Sequence, residues 1–340
     1  MAGLLLLSAA AFAQAAPRDV TFVSTSDSHY VSVGTKHKDR NANNRKTVLA
    51  INAVTELAWP ESIGGGPIDP PRGVMGIGDM IDDGDVMFEG INKGQKQYEF
   101  LLADFGLDGT DGLLKYPTFE TWGNHDGPPV GKERFGFSFQ TKFKRRNVIR
   151  KQKGLIQNLS TNGLHYSWGW DDVHFVMLGI YPADVQNPKI RYNPVWHNPQ
   201  GALTFLREDL AKHVGKSGRP VILMSHCGVD ADWWHEEDKK AFYDVASPYH
   251  VAAYIYGHSG TGLRQWAPAD DQHKLLCIND GQTENGFFVI QLQDDRMRYG
   301  FYGKQWKTET GEDGKPIRTW TGDWVWRLTG KTELSPRKDP

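Results

Sequence analysis

Side chains that bind metal ions well follow five apolar segments of this 340-residue sequence. They are Asp27 and His29 after the run 20–26, Asp79 after 73–78, Asn124 after 117–122, His226 after 220–225 and His258 after 251–256. Carboxylate, amide and imidazole groups together suit divalent ions such as Mn²⁺, Fe²⁺ and Zn²⁺. If the apolar segments are strands of one or two neighbouring sheets, these side chains meet at one edge. The sequence therefore predicts an enzyme with a two-metal site.

The spacing within the motifs assigns ligands to ions. Asp27 and His29 are two residues apart, so they share a face of a regular strand and can reach one ion from a strand end. Asp79 is the expected bridging carboxylate between two ions. Each motif alone has a simpler explanation, since a strand-end histidine is usually a hydrogen-bonded core residue. The ordered combination of all five is what indicates a metal centre.

The segments between these motifs predict alternating strands and helices. Helices are expected at 47–58, where the chain must break before Pro60, at 201–213, and at 232–246 with Asp232 as the N-cap. The strand segments are apolar on both faces, as in sheets covered by helices. Further strands are expected at 173–180, 274–279, 287–292 and 297–302. This order predicts α/β layers, and the late run of strands predicts a second sheet packed on the first.

Composition excludes some classes of partner. The chain has 39 Lys and Arg against 41 Asp and Glu, a formal net charge of −2, so no global basic field favours nucleic acid. The cationic cluster at 142–151 is expected to be a solvated loop face. No segment beyond the N-terminus approaches the roughly 20 apolar residues of a membrane span. Cys227 and Cys277 are expected to be buried thiols, with a disulfide as the open alternative.

The first 16 residues have the features of a secretion signal. Leu4–Leu7 and the following residues to Phe12 form a short apolar core, and small residues then offer Ala-x-Ala cleavage sites. We therefore expect a secreted or periplasmic protein whose mature chain begins near Pro17 or Arg18.

The order of the motifs resembles the calcineurin-like metallophosphoesterase superfamily, which includes purple acid phosphatases and Ser/Thr phosphatases. The shared pattern is Asp-x-His, Gly-Asp-x-x-Asp, Gly-Asn-His-Asp, His and Gly-His, over about residues 19–303. The resemblance implies an α/β fold, a four-layer α/β/β/α sandwich of two mixed sheets with a dinuclear centre between them. It assigns the first ion to Asp27, His29 and Asp79, and the second to Asp79, Asn124, His226 and His258.

Two departures from the family pattern concern the first ion and the substrate. Many members have a second histidine where this chain has Gly260, so the first ion keeps three protein ligands. His273 could replace that histidine, although a surface position is expected for it. Asp82 stands where purple acid phosphatases have an iron-binding tyrosine, and Asp83 stands where Ser/Thr phosphatases have an arginine. Neither purple iron chemistry nor protein phosphatase specificity is therefore expected.

The resemblance also assigns the catalytic roles. His125 is the expected proton donor or transition-state hydrogen-bond donor, and Asp82 is the carboxylate expected to orient His125 and keep it protonated. A loop cap is the alternative role for Asp82. The expected reaction is hydrolysis of a phosphomonoester or phosphodiester by in-line attack of a metal-bridging hydroxide. The expected substrate is small: a nucleotide, a sugar or inositol phosphate, or a lipid head group.

The competing hypothesis is a non-catalytic member of the fold that binds metal and a ligand. Retention of His125 beside Asn124 argues against it, because a binding module does not need a proton donor.

We expect a signal peptide at 1–16, a metallophosphoesterase domain at 17–305, and a C-terminal extension at 306–340. An edge strand is expected at 324–328. The segment between Asp79 and Asn124 is expected to form a substrate-facing lid. Trp233 and Trp234 either rim the cleft or pack a helix in the core.

Overall fold

The computed structural model describes residues 17–190, 196–269, 271–311 and 314–334, so the expected signal peptide lies outside the described residues. The strands are β1 Asp19–Thr25, β2 Val74–Ile77, β3 Met87–Phe88, β4 Ile91–Asn92, β5 Thr118–Thr121, β6 Asn158–Leu159, β7 Tyr166–Trp170, β8 Val173–Met177, β9 Val221–Met224, β10 Val251–Tyr256, β11 Thr261–Trp266, β12 Leu275–Asp280, β13 Gly286–Gln293, β14 Arg296–Thr310 and β15 Pro316–Glu333. The helices are α1 Arg40–Asn52, α2 Lys93–Phe105, α3 Phe139–Gln152, α4 Ala202–His213 and α5 Glu236–Ala246, with short 3₁₀ helices at Val54–Glu56 and Glu61–Ile63.

Two mixed sheets form the centre of the fold. The first has the strand order β15-β14-β13-β1-β2-β5, and the second has the order β11-β12-β10-β9-β8-β7-β6. Strands β1, β2 and β5 run parallel, as do β8, β9, β10 and β12. The sheets pack face to face through aromatic contacts, with ring centroids 5.3 Å apart for Phe22 and Phe175 and 4.4 Å apart for Phe119 and Trp168.

Helices cover the outer faces of both sheets. Phe242 of α5 packs its ring 4.9 Å from that of Tyr254 on β10, and Asp209 of α4 contacts His174 on β8. Lys304 of β14 donates hydrogen bonds to the Asn43 carbonyl and the Thr47 hydroxyl of α1. The four-layer α/β/β/α sandwich is therefore confirmed.

The central strands lie where the apolar runs predicted them. Strands β2, β5, β8, β9 and β10 are buried at every position, as expected for strands covered on both faces. The expected edge strand is confirmed as part of β15. The boundary expected between residues 305 and 306 lies inside β14, so the last hairpin is continuous with the first sheet.

Three helix boundaries differ from the expectation. Helix α1 starts at Arg40 instead of 47, because its first buried positions include the polar residues Asn44 and Thr47, which a hydrophobic pattern does not reveal. It ends at Asn52 instead of 58, and a short 3₁₀ helix follows at Val54–Glu56. Helix α5 starts at Glu236, and His235 rather than Asp232 is its N-cap, in a capping box with Asp238.

The lid expected between Asp79 and Asn124 is largely a packed helix. Tyr98, Leu101 and Phe105 of α2 are buried, so this part of the segment belongs to the outer layer of the first sheet. Both cysteines are free and buried, which confirms the expectation of two thiols.

The expectation of a solvated cationic loop at 142–151 is wrong about the loop and about two of its arginines, whereas Arg145 and Lys151 are exposed. This segment belongs to α3, and two of its arginines pair with the buried carboxylate of Glu120 on β5. Arg146 Nε lies 2.5 Å from Glu120 Oε1, and the fully buried Arg150 contacts Glu120 Oε2. Burial opposes the charge on Glu120, but the two guanidinium groups overcome it and lower the pKa of this carboxyl. Glu120 is distant in sequence from these arginines, so the cationic pattern alone predicts a solvated surface.

We predict that Glu120→Gln destabilises the fold by about 3–5 kcal/mol near pH 7, because it leaves two buried guanidinium groups without a counter-charge. The folded pKa of Glu120 is below its ordinary value of 4.5. Its stabilising contribution is therefore present above that pH and is lost as the pH falls through the folded pKa. Urea unfolding of wild type and variant from pH 7 to 3 should show the difference in stability narrowing below pH 4.5.

The matched control is Glu99→Gln, which removes an exposed carboxylate paired with Lys96. It should leave stability nearly unchanged. An equal loss in both variants would contradict the buried ion cluster.

Candidate metal centre

The carboxyl ends of β1, β2, β5, β9 and β10 meet at one edge of the sandwich. The parallel register of β1, β2 and β5 brings the first three motifs side by side, and β9 and β10 bring the two histidine motifs from the facing sheet. Cross-sheet contacts join the two groups, since His226 Nδ1 lies 2.9 Å from the carbonyl of Ile77 on β2. The structure therefore brings all the residues predicted as metal ligands to one place.

Asp79 is at the centre of this group. Its Oδ2 atom lies 3.6 Å from His29 Nε2 and 3.2 Å from His226 Nε2. Its Oδ1 atom accepts a hydrogen bond of 2.8 Å from the backbone N–H of His125. One oxygen is thus held by the backbone, and the other faces both histidines, which is the placement that a bridging ligand needs.

The first half of the site contains Asp27 and His29. Asp27 Oδ1 lies 3.7 Å from His29 Nε2. Asp27 Oδ2 accepts hydrogen bonds from the Ser26 hydroxyl at 2.5 Å and from the backbone N–H of His258 at 2.9 Å. These bonds fix the carboxylate so that Oδ1 is directed at the same space as the histidine nitrogen.

The second half contains Asn124, His226 and His258. The Ile77 carbonyl accepts from the N–H at Nδ1 of His226, which leaves Nε2 available as a ligand. That Nε2 atom lies 3.1 Å from Asn124 Oδ1, and the rings of His226 and His258 are 5.2 Å apart. The thiol of Cys227 lies nearby, but burial raises its pKa well above its ordinary value, so it stays protonated.

Backbone strain is concentrated at these positions. Four of the six predicted ligands have a left-handed backbone: Asp27 at φ 50°, His29 at 42°, Asp79 at 50° and His258 at 68°. Non-glycine residues adopt this conformation at a cost of about 1–3 kcal/mol, and such residues cluster at functional sites.

The glycine of the Gly-Asn-His-Asp motif has a steric role. A Cβ atom at Gly123 would lie 2.2 Å from Asp79 Oδ1 and 2.7 Å from the His226 ring. Asp126, the last residue of that motif, accepts hydrogen bonds from the backbone N–H groups of Gly123 and Ile81. The motif therefore closes the loop tightly around Asp79.

The electrostatics of the site favour a cation. Burial opposes ionisation of Asp79, but the neighbouring histidines overcome this and lower the pKa of its carboxyl. Burial also opposes charge on His29 and His226, yet the carboxylates raise the pKa of His29 to about 10 and that of His226 to about 9. Burial lowers the pKa of His258 to about 4, so this imidazole is neutral at pH 7.

The donor set therefore fits divalent metal ions. It offers buried carboxylates, imidazole nitrogens and the amide oxygen of Asn124. The ligand atoms of Asp27, Asp79 and His226 lie within 4.8 Å of one another, as do those of His29, Asp79 and His125. In the absence of a metal, protons on histidines balance the carboxylates, and a metal ion would take over that role.

His125 lies at the solvent side of this group. Its side chain is 45% exposed, and its ring packs edge to face 4.5 Å from His29. The Asp82 backbone carbonyl lies 2.7 Å from His125 Nδ1, whereas the Asp82 carboxylate is 4.0 Å from it. The carboxylate instead lies 3.1 Å from His29 Nδ1. The orienting contact to His125 thus comes from the backbone of Asp82 and not from its side chain.

Nothing within 4 Å would meet a Cβ atom at Gly260, so open space stands where many family members have a second histidine. His273 does not fill it. Its carbonyl accepts from the Tyr243 hydroxyl, and the register of β11 with β12 places it at the far end of that strand pair from Thr261.

Three residues near the centre were missed in the sequence. Arg40 lies 3.3 Å from the Asp82 carboxylate, and Glu284 lies 3.8 Å from Arg40. His197 is buried, with its ring 4.0 Å from that of Trp233, which packs 4.9 Å from His258. None of the three follows a strand, so no pattern marked them. Trp233 lies at the site, and Trp234 is buried in the core.

The calcineurin-like phosphoesterase family model matches residues 21–261, which is more than half of the chain. The protein belongs to this family. None of the described helices has the length and apolar character needed to cross a bilayer.

Solved structures of similar fold include "GAP50 the anchor in the inner membrane complex of Plasmodium", with 13% identity, a TM-score of 0.48, and coverage of 94% of this chain and 90% of that one. PhoD has 10% identity, a TM-score of 0.49, and coverage of 95% and 71%. The calcineurin-like phosphoesterase YfkN from Bacillus subtilis has 13% identity, a TM-score of 0.39, and coverage of 94% and 91%. No curated protein sequence matches this chain.

We predict that Asp79→Asn weakens the binding of both metal ions, because its Oδ2 atom faces both halves of the site. Metal content, measured by mass spectrometry after equilibrium dialysis, should fall for both ions. The control is Asp232→Asn, which replaces an exposed carboxylate after β9. This variant should keep the wild-type metal content. Two tightly bound ions in Asp79→Asn would refute the bridging role.

Proposed function

We propose that this protein is an exported phosphoester hydrolase that uses two divalent metal ions and acts on phosphomonoesters or phosphodiesters. The observation that carries the proposal is the position of Asp79 Oδ2 between His29 and His226, with the exposed His125 beside them. Export is proposed from the apolar, alanine-rich segment at residues 1–16.

Asp27, His29 and Asp79 would hold one ion, and Asp79, Asn124, His226 and His258 would hold the other. When bound, the ions supply Lewis acidity toward phosphoryl oxygens and an activated water as nucleophile. The nitrogen and oxygen donors suit Mn, Fe or Zn.

His125 supplies the proton in the proposed reaction. The Asp82 carbonyl engages Nδ1, which leaves Nε2 to donate toward the phosphoryl group or the leaving oxygen. The exposure of this side chain allows substrate to reach it, whereas His226 is fully enclosed by protein.

In this proposal, Asp82 acts on the first half of the site, through the metal ligand His29. Its carboxylate contacts His29 Nδ1 and Arg40, so it orients a metal ligand in the way that outer carboxylates orient ligating histidines.

We predict that His125→Ala lowers kcat by about 10²–10⁴-fold, because it removes the proton donor. The metal content should stay at the wild-type level, since the ligands of both ions remain. Hydrolysis of p-nitrophenyl phosphate and bis-p-nitrophenyl phosphate by metal-loaded protein measures the first effect, and mass spectrometry measures the second. Loss of metal would show that His125 is structural.

We predict that Asp82→Asn lowers the affinity for one metal ion by about 10–100-fold, as expected when a carboxylate that orients a ligating histidine is lost. Titration of metal-free protein with Mn²⁺ should show one weakened and one unchanged site. If both sites keep their affinity while kcat falls, Asp82 acts on His125 and the geometric assignment is wrong.

The second candidate function is a non-catalytic module that binds metal and a phosphate-containing ligand. The open space at Gly260 favours it, because the first ion would have only three protein ligands. Absence of turnover of both nitrophenyl esters and of a broad phosphoester panel, at full metal occupancy, would eliminate the hydrolase and leave the binding module.

A further inference from the structure

A cavity of 290 Å³ lies between the β14–β15 hairpin and the loop that follows β12. The polar side chains that line it all carry hydrogen-bond donors. The apolar side chains of Phe301 and Leu328 complete the wall. The lining residues are Thr261, Asn285, Phe301, Lys304, Trp306, Arg318, Arg327 and Leu328. Among these described residues there is no carboxylate, and the nearest acidic group that acts on them is Glu284, beside Asn285.

The cavity and the metal centre share one loop, residues 281–286. On one side of this loop, the Ser26 N–H donates to the Gly281 carbonyl at 3.2 Å, and Ser26 precedes the predicted ligand Asp27. On the other side, Asn285 lines the cavity, and its carbonyl accepts from the backbone N–H of Lys304 at 2.8 Å. The cavity is therefore connected through this loop to the half of the site that contains Asp27.

The three basic side chains of the cavity differ in what they can bind. The Lys304 amino group is fully engaged, since it donates to the carbonyls of Asn43 and Glu284 and to the Thr47 hydroxyl at 2.6–3.0 Å, and burial lowers its pKa to about 7. Its role is to tie the hairpin to α1 and the shared loop. The two arginines supply the remaining donors.

Arg318 and Arg327 keep donors available. Arg327 donates from one terminal nitrogen to the Lys304 carbonyl, and Arg318 lies 4.5 Å from the Trp306 ring centroid. The Trp306 ring forms part of the cavity wall, but its indole N–H is shielded from the cavity space and is not one of the available donors.

The charges around Arg318 are of both signs. Partial desolvation of this exposed side chain lowers its pKa, Glu284 raises it, and Arg327 lowers it by a smaller effect. Two guanidinium groups that face one space repel each other unless an anion lies between them. Arginine is also the residue whose planar donors match phosphate and carboxylate oxygens.

We propose that this cavity binds a second anionic group of the substrate, a phosphate-sized oxyanion, while the ester to be cleaved lies at the metal centre. This inference rests on the proposed function. All the charged donors come from residues after 261, the end of the family match, so the site belongs to the C-terminal hairpin of this chain.

Steady-state kinetics with substrates that carry one or two phosphate groups test the proposal. Metal-loaded wild type and the double variant Arg318→Gln/Arg327→Gln are compared on p-nitrophenyl phosphate and on a panel of sugar bisphosphates with different phosphate separations. We expect the variant to raise KM at least tenfold for the bisphosphates that wild type prefers, and to leave kcat/KM for p-nitrophenyl phosphate within twofold. Equal effects on both classes, or no effect on either, would overturn the proposal.

The matched control is Arg296→Gln/Lys331→Gln, which removes two cations of the same hairpin outside the cavity. It should behave as wild type on both substrates. The single variant Arg318→Gln serves as a second test, because Arg318 is exposed and its replacement should leave folding unchanged.

A binding experiment separates this proposal from the proposed function. Inorganic phosphate is titrated calorimetrically into the metal-free full chain, where the metal centre cannot hold it. We expect binding in wild type and at least tenfold weaker binding in the double variant. Binding without any effect on bisphosphate KM would identify a site for free phosphate and overturn the substrate assignment. If wild type hydrolyses no ester, the proposed function fails. Absence of phosphate binding would refute the assignment of the cavity as an anion site.

Discussion

The Asp79 carboxylate, buried between two sheets and directed at histidines from both, is the constraint on which this structure depends. A buried carboxylate without a counter-charge is expensive, so the surrounding fold must supply one. His29 comes from the first sheet and His226 from the second, at 3.6 and 3.2 Å from the same oxygen. The two sheets can close over Asp79 only because each brings a group that balances its charge, either as a protonated histidine or with a metal ion.

Much of the local structure follows from that requirement. Gly123 has no side chain because Asp79 and His226 occupy the space, and four of the predicted ligands have a left-handed backbone because the chain must reverse directly after a strand. The Ile77 carbonyl fixes the tautomer of His226, and Asp126 fixes the loop that carries Asn124 and His125. These contacts are polar and buried, and each one stiffens the site before a metal arrives.

The C-terminal hairpin shows how a family fold acquires a surface of its own. Lys304 joins β14 to α1 and to the loop 281–286, and Glu284 of that loop contacts Arg40, which contacts Asp82. A continuous set of hydrogen bonds and ion pairs therefore links the hairpin to the first half of the metal centre. This linkage gives the hairpin a physical route to influence substrate binding.

The sequence by itself determined the central strands, the α/β layers and the residues that converge at the strand ends, because strand burial leaves an apolar pattern and the converging polar residues follow those strands directly. Tertiary structure decided what that pattern does not encode. The pairing of Arg146 and Arg150 with Glu120, the early start of α1 and the contact of Asp82 with His29 all join polar groups that are distant in sequence or unmarked by periodicity. Hydrophobic periodicity reports which face of an element is buried, whereas the choice of polar partner depends on the distance between elements once they have packed.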